Sequence, residues 1–187
     1  MVKIGVITGS SRDVRVNKQV AEYVLEKAKH VEGAEFELVD IKDFDLPLFN
    51  EAMPPAMANK SYNKDENNRW SEKIDSLDGF IFVTPEYNNA ITPSLKNAID
   101  YLGPEWGNKA AGIVAYGSTL GVAAQLSLRH ILSNANVATV GPAGAFSLFT
   151  DFEEMATFRP SEVHNATIQA VLETTAAWSK GLKSVRA

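Results

Sequence analysis

Three short stretches of this chain carry residue types suited to holding a flat, phosphorylated ligand. The first reads Gly9, Ser10, Ser11, Arg12, Asp13, Val14, Arg15, Val16, Asn17. It offers hydroxyls, a guanidinium, an amide and free backbone N–H groups at a helix start. That set suits a terminal phosphate monoester, because a helix amino terminus attracts anions and arginine grips phosphate through parallel hydrogen bonds. The stretch has neither the G-x-G-x-x-G of a dinucleotide site nor the G-x-x-x-x-G-K-[ST] of a triphosphate site. Ser10 and Asn17 are also ordinary capping residues, so this loop alone leaves both readings open.

The second stretch is Thr84, Pro85, Glu86, Tyr87, Asn88 and Asn89. Pro85 stiffens it, Tyr87 adds an aromatic surface, and its backbone N–H groups suit the ring nitrogens and carbonyls of a planar heterocycle. An Asn-rich turn with Tyr87 packed inside is the competing reading. The third stretch, Tyr116 to Gly121, has glycines that permit close backbone approach. Phosphate chemistry in one loop and ring chemistry in two others point jointly to one ligand if the fold brings them to one edge.

The flanking segments say how that could happen. Lys3 to Thr8 is a β-branched run, and an amphipathic helix follows from about Asn17 with Val20, Tyr23, Val24 and Val31 on one side. Phe36 to Ile41 alternates as a strand nearer a sheet edge. Asp43 to Asn68, rich in Pro, Asn and Met, reads as a long ordered loop, and Asn67 to Leu77 as a helix. Phe80 to Val83 is apolar without alternation, the pattern of a strand buried on both faces of a parallel sheet.

In the next helix Thr92 is the expected N-cap, Pro93 the first helical residue and Gly103 a left-handed C-terminal residue, with Leu95, Ala98, Ile99 and Leu102 as the core stripe. A strand at Ala110 to Ala115 precedes a helix from about Leu120 to Asn134, whose core stripe is Ala124, Leu128, Ile131 and Leu132. Val122 and Leu126 lie off that stripe and suggest either a subunit contact or irregular packing. The fifth strand falls near Ala138 to Val140 or later, toward Phe146. The last helix spans about Ser161 to Lys183, with Val163, Thr167, Ala170, Val171, Thr174 and Trp178 expected to face inward. Strands alternating with helices imply an α/β protein with a parallel sheet and right-handed crossovers, and leave two doubly wound strand orders open. In such sheets ligands bind beyond the carboxyl ends of the strands.

Composition removes several function classes. The 187 residues include no cysteine, which excludes thiol nucleophiles, disulfides and thiolate metal sites. A net charge of −5 argues against a nucleic-acid surface. No segment approaches a bilayer span, and the amino terminus has no secretory pattern, so cytoplasm is the expectation. His30, His130 and His164 lie far apart in sequence and indicate no metal site. Ser118 lacks the G-x-S-x-G elbow of a hydrolase. An acidic metal pocket of the phosphorylation-receiver type fails because Thr8, Gly9 and Ser10 stand where the carboxylates belong.

Taken together, the Gly9-Ser10-x-Arg12 loop with Asn17, Thr84 to Asn88 followed by Leu95 to Asp100, Tyr116 to Gly121, and Leu46 to Glu51 resemble the NAD(P)H-dependent FMN reductases. That family also includes quinone, azo-dye and chromate reductases. The resemblance covers about Lys3 to Gly121; beyond it only the helix pattern matches. It implies a single flavodoxin-like domain over 1–187, a three-layer sandwich on a five-stranded parallel sheet in order 2-1-3-4-5. It further implies that Ser10, Arg12, Val16 and Asn17 hold the FMN phosphate, that Pro85, Glu86, Tyr87 and Asn88 wrap the isoalloxazine, and that Tyr116, Gly117 and Ser118 line its other edge.

The implied activity is hydride transfer from NADPH, or NADH, to bound FMN and then two electrons to a quinone, free flavin, azo compound or similar planar acceptor. No side chain is required as an obligatory acid or base. A homodimer or dimer of dimers is implied as well. Two departures stand out: Val122 and Ala123 occupy positions where many members carry paired glycines, and Tyr101 to Trp106 replaces a segment that often supplies an arginine. A non-enzymatic FMN electron carrier and a redox-regulated binding protein are the alternative functions.

Overall fold

A computed structural model describes residues 1–186. Strands β1 (Val2–Thr8), β2 (Ala34–Val39), β3 (Gly79–Pro85), β4 (Lys109–Gly117) and β5 (Val137–Ser147) form one sheet in the order β2-β1-β3-β4-β5. All four pairings are parallel. This is the flavodoxin-like order, with β1, β3 and β4 inside the sheet and β2 at an edge. Every residue of β3 and of β4 is buried, which accounts for the unalternating Phe80 to Val83.

Helices α1 (Asn17–Ala28) and α5 (Asn165–Lys183) pack on one face of the sheet, while α2 (Asp65–Asp75), α3 (Pro93–Asp100) and α4 (Val122–Asn134) pack on the other. Each face has its own apolar core. One is built around Trp70, Trp106, Phe80 and Phe82, and the other around Val20, Val24, Val83, Tyr116 and Phe146. The long loop between β2 and α2 is ordered by two single-turn 3-10 helices, Ile41–Phe44 and Pro55–Met57. A small hairpin of β6 (Phe152–Glu153) and β7 (Thr157–Phe158) follows β5.

Two expectations are corrected, and the position of β5 is settled. Gly103 is not left-handed; only Gly33 and Gly121 among the glycines have positive φ. It is small because the α3–β4 connection presses on the long loop, where an added Cβ would lie 2.9 Å from the Ala56 nitrogen. Helix α5 buries Ile168, Val171, Leu172, Thr175, Ala176 and Ser179, whereas Val163 and Trp178 are 76% and 46% exposed. Ser179 and Thr175 are small because they meet glycines: a Cβ on Gly79 would sit 2.0 Å from Ser179 Oγ, and one on Gly112 2.6 Å from Thr175 Oγ1. No tryptophan fits so close an approach. Strand β5 covers both expected positions. Its register shifts so that Ala111 pairs with Thr139 but Ile113 with Ala143, leaving Gly141 and Pro142 in an irregularity on an edge strand, where a missing N–H is tolerated.

Candidate functional site

Parallel β1, β3 and β4 end on the same side, so their three loops converge there, as the spacing of chemistry in the sequence requires. Loop one is pinned before it reaches solvent. The buried Asn17 amide accepts from the Gly9 N–H at 2.9 Å and donates to the Val83 carbonyl at 2.9 Å, tying the ends of β1 and β3 together. Gly9 comes so near β3 that a Cβ would lie 2.6 Å from the Val83 oxygen. Beyond this clamp Ser10 is buried and Arg12 is exposed. Helix α1 then starts at Asn17, after Val16 at the N-cap position, with no capping side chain and no acidic residue in its first turn. The positive end of a twelve-residue helix is thus left facing the loop.

The β3 loop is a tight turn. Tyr87 and Ala90 exchange backbone hydrogen bonds of 2.9 and 3.0 Å, and Asn88 and Asn89 both take positive φ (48° and 63°), the type I′ pattern for which asparagine is suited. The turn directs Tyr87 toward loop one, where its hydroxyl accepts a hydrogen bond of 3.3 Å from Arg12 Nη1 across 75 residues of sequence. Glu86 turns the other way. Its Oε2 accepts from the N–H groups of Ala123 and Ala124 at 2.9 and 3.1 Å, and its Oε1 from the Thr119 hydroxyl at 2.8 Å. The carboxylate therefore caps α4 from another loop, where Gly121 at the N-cap position brings no side chain.

The β4 loop completes the wall. Tyr116 is buried against Phe152, and burial raises its phenol above the usual range, so the hydroxyl stays neutral. Gly117 passes so close to Glu86 that a Cβ would be 3.1 Å from the Glu86 Cβ.

A cleft of about 220 Å³ brings together Ser10, Arg12, Val16, Pro85, Glu86, Tyr87, Tyr116 and Gly117. Of the sequence-derived residues, Asn17 lies beneath it with its amide already engaged, and the exposed Asn88 and Ser118 fall outside its lining. Four lining residues were not anticipated: Val14, Arg15, Leu148 and Met155. Arg15 was visible in the loop but its partner, Asp40, is 25 residues away. Leu148 and Met155 come from the segment after β5 and carried no motif. That segment is held by Asp151, whose buried carboxylate accepts from the Ser147 N–H at 2.8 Å and pairs with His164 at 2.8 Å. Among the described residues no His, Cys, Asp or Glu cluster could hold a metal ion, and no helix is long and apolar enough to cross a membrane.

Residues 2–152 match the family described as NADPH-dependent FMN reductase. The chain is 40% identical over 136 residues to an NAD(P)H-dependent FMN reductase of a Nectria species, covering 71% of this chain and 68% of that protein. It is 31% identical over 186 residues to an NAD(P)H-dependent FMN reductase of Saccharomyces cerevisiae, covering 91% and 95% of the two chains. A solved flavoenzyme NAD(P)H:(acceptor) oxidoreductase from Paracoccus denitrificans superposes with a TM-score of 0.72 over 97% of this chain and 98% of that one; at 21% identity this carries the fold alone.

Proposed function

Since this chain belongs to the NADPH-dependent FMN reductase family, we propose that it is an FMN-binding oxidoreductase that passes reducing equivalents from NAD(P)H to a small planar acceptor such as a quinone. The observation that supports the reading is the meeting of Arg12 with Tyr87 over one cleft, where a cation suited to a phosphate stands beside an aromatic loop suited to a ring.

The residues present fit FMN. Helix α1 offers an uncapped amino terminus, Arg12 an exposed guanidinium whose Nη1 alone is engaged, by Tyr87, and Arg15 Nε is a buried donor without a partner beside them. Ser10, Arg12 and Val16 would hold the phosphate directly, while Asn17 acts one step back by clamping Gly9 to β3. Pro85, Glu86 and Tyr87 would border one side of the ring through backbone groups, with Asn88 shaping the turn and Tyr116, Gly117 and Ser118 on the other side. When bound, FMN supplies the two-electron chemistry between a hydride donor and an acceptor. The chain's own work is to bind, orient and present it: the neutral, buried Tyr116 contributes no charge to the wall, and the fixed loop N–H groups favour negative charge on a ring set against them. The exposed Val122 and Leu126 on α4 are the strip we assign to contact between copies in a homodimer or dimer of dimers.

Anaerobic titration of the FMN-loaded protein with NADPH and with NADH tests the reading. Bleaching of the flavin spectrum, reversed by a quinone, is the expected result. A colourless protein that takes up no FMN overturns it, and bound FMN without turnover on any acceptor turns it into an electron carrier or a redox-regulated binding protein.

A further inference from the structure

We infer that the buried ion pair of Arg15 with Asp40 is a strut that fixes the first loop for a phosphate-bearing ligand, and so sets the preference for FMN over riboflavin. The inference rests on the FMN reading of the cleft. Arg15 lines that cleft, yet the two terminal nitrogens of its guanidinium are committed behind it, leaving only Nε without a partner: Nη2 pairs with Asp40 Oδ2, and Nη1 donates 3.1 Å to the carbonyl of Arg12. Asp40 is anchored in turn at the carboxyl ends of β1 and β2. Its Oδ1 accepts from the Thr8 hydroxyl at 2.9 Å and from the Lys42 N–H at 3.1 Å, while Thr8 Oγ1 accepts from the Ile41 N–H at 3.1 Å. A continuous line of hydrogen bonds therefore runs from the sheet, through two charged side chains, to the backbone of the residue whose side chain faces the ligand.

Burial gives this line its stiffness. The Arg15 and Asp40 side chains are 10% and 7% exposed, against 43% and 90% for Lys42 and Asp13, the other ion pair between the same two segments. The exposed pair is screened by water and constrains little; the desolvated one is costly to break on either side. Because Asp40 neutralises Arg15, the strut adds geometry rather than net charge at the cleft. What it needs is the fork of a guanidinium, which reaches a carboxylate and a carbonyl at once; one ammonium on a flexible stem does not reproduce that geometry.

Arg15→Lys isolates the fork, since it keeps a cation beside the buried Asp40. Full-length wild type and variant are titrated with FMN and with riboflavin, following quenching of flavin fluorescence. The expected result is an FMN Kd raised about tenfold with the riboflavin Kd within about twofold, on the scale of one or two lost charge-assisted hydrogen bonds, and an unfolding midpoint without flavin close to wild type. A parallel rise for both flavins makes Arg15 merely structural and overturns the inference, as does an unchanged FMN Kd. Asp40→Asn, which keeps an acceptor for Thr8 and Lys42, must give the same FMN-selective loss, and stands in if Arg15→Lys does not fold. A wild-type protein that binds neither flavin overturns the FMN reading itself, whereas normal wild-type binding with a silent Arg15→Lys removes only the strut.

Discussion

Helices α1, α3 and α4 follow the three inner strands at the carboxyl edge of the sheet, and their amino termini are treated differently. Helix α3 is capped by its own Thr92, whose hydroxyl oxygen accepts from the Leu95 N–H at 3.0 Å. Helix α4 is capped from another loop by the Glu86 carboxylate. Helix α1 has no capping side chain, yet Arg12 and Arg15 stand around it. An unsatisfied helix start costs stability unless something outside the helix completes it. Two of these three termini are finished within the chain; on the reading proposed above, the third, flanked by Arg12 and Arg15, is the one left for the phosphate of the ligand.

The comparison breaks most visibly at Glu86. Glu86→Ala strips two N–H groups and the Thr119 hydroxyl of a shared acceptor. Loss of a charge-assisted cap with several partners is expected to cost about 3 kcal/mol in chemical denaturation, with Glu86→Gln recovering part of it. It also leaves the α4 terminus open beside that of α1, so sulfate should stabilise Glu86→Ala more than wild type. Equal sulfate effects would show that an open helix start alone does not attract an anion here.

The converse change is made at the open terminus. Arg12→Ala should raise the FMN Kd about thirtyfold, the scale of a charged contact to phosphate, while leaving hydride transfer in fully loaded enzyme within about threefold. Stopped-flow reduction at saturating FMN separates the two. If the rate of reduction falls as far as the affinity, Arg12 acts at the ring rather than at the phosphate.

Helix ends finished by distant side chains recur at the opposite end of the sheet. Buried Lys109 donates 2.7 Å to the Ile74 carbonyl and 3.1 Å to that of Asp75, closing α2 at its carboxyl terminus. Desolvation pulls its pKa down to about 8 from the ordinary lysine value of 10.5. The unfolded chain then binds more protons than the folded one above pH 8, so stability should rise with pH from about 8 toward 9.5, by about 1.5 kcal/mol. The half-buried Tyr62 and the buried Tyr116, whose pKa values are raised, act oppositely only where unfolded tyrosine ionises, near and above pH 10. Denaturation at pH 8 and 9.5 checks the rise, which Lys109→Met should abolish.

How much of this was legible depended on whether a residue's partner was near in sequence. Thr92 and Pro93 were readable because an N-cap and its target lie three residues apart, and Phe80 to Val83 because burial on both faces shows in a continuous apolar run. The pairing of β2 with β1 came only from a family resemblance, since periodicity does not encode strand order. The cap that Glu86 places on Ala123, 37 residues away, and the bond of Asn17 to Val83, 66 away, leave no mark in local spacing. The buried face of α5 was misread for another reason: the apolar residues Val163 and Trp178 outweighed Thr175 and Ser179, although only small side chains fit over Gly79 and Gly112.

Thr92 tests the comparison at its finest grain, because its hydroxyl belongs to two systems at once. It caps α3 and also donates to the Gly9 carbonyl, joining the self-capped helix to the loop that serves the open one. Thr92→Ala should cost about 1 kcal/mol, an ordinary N-cap loss. Thr92→Ser keeps the hydroxyl and should lie within a few tenths of a kcal/mol of wild type. The informative quantity is the FMN Kd of Thr92→Ala. Asn17 still binds the Gly9 N–H and the Val83 carbonyl in this variant, so the loop keeps its main clamp and the Kd should rise less than about threefold. A larger rise would mean that the capped and open termini are mechanically coupled through Gly9, and that the loop's phosphate geometry depends on α3 as well as on the clamp beneath it.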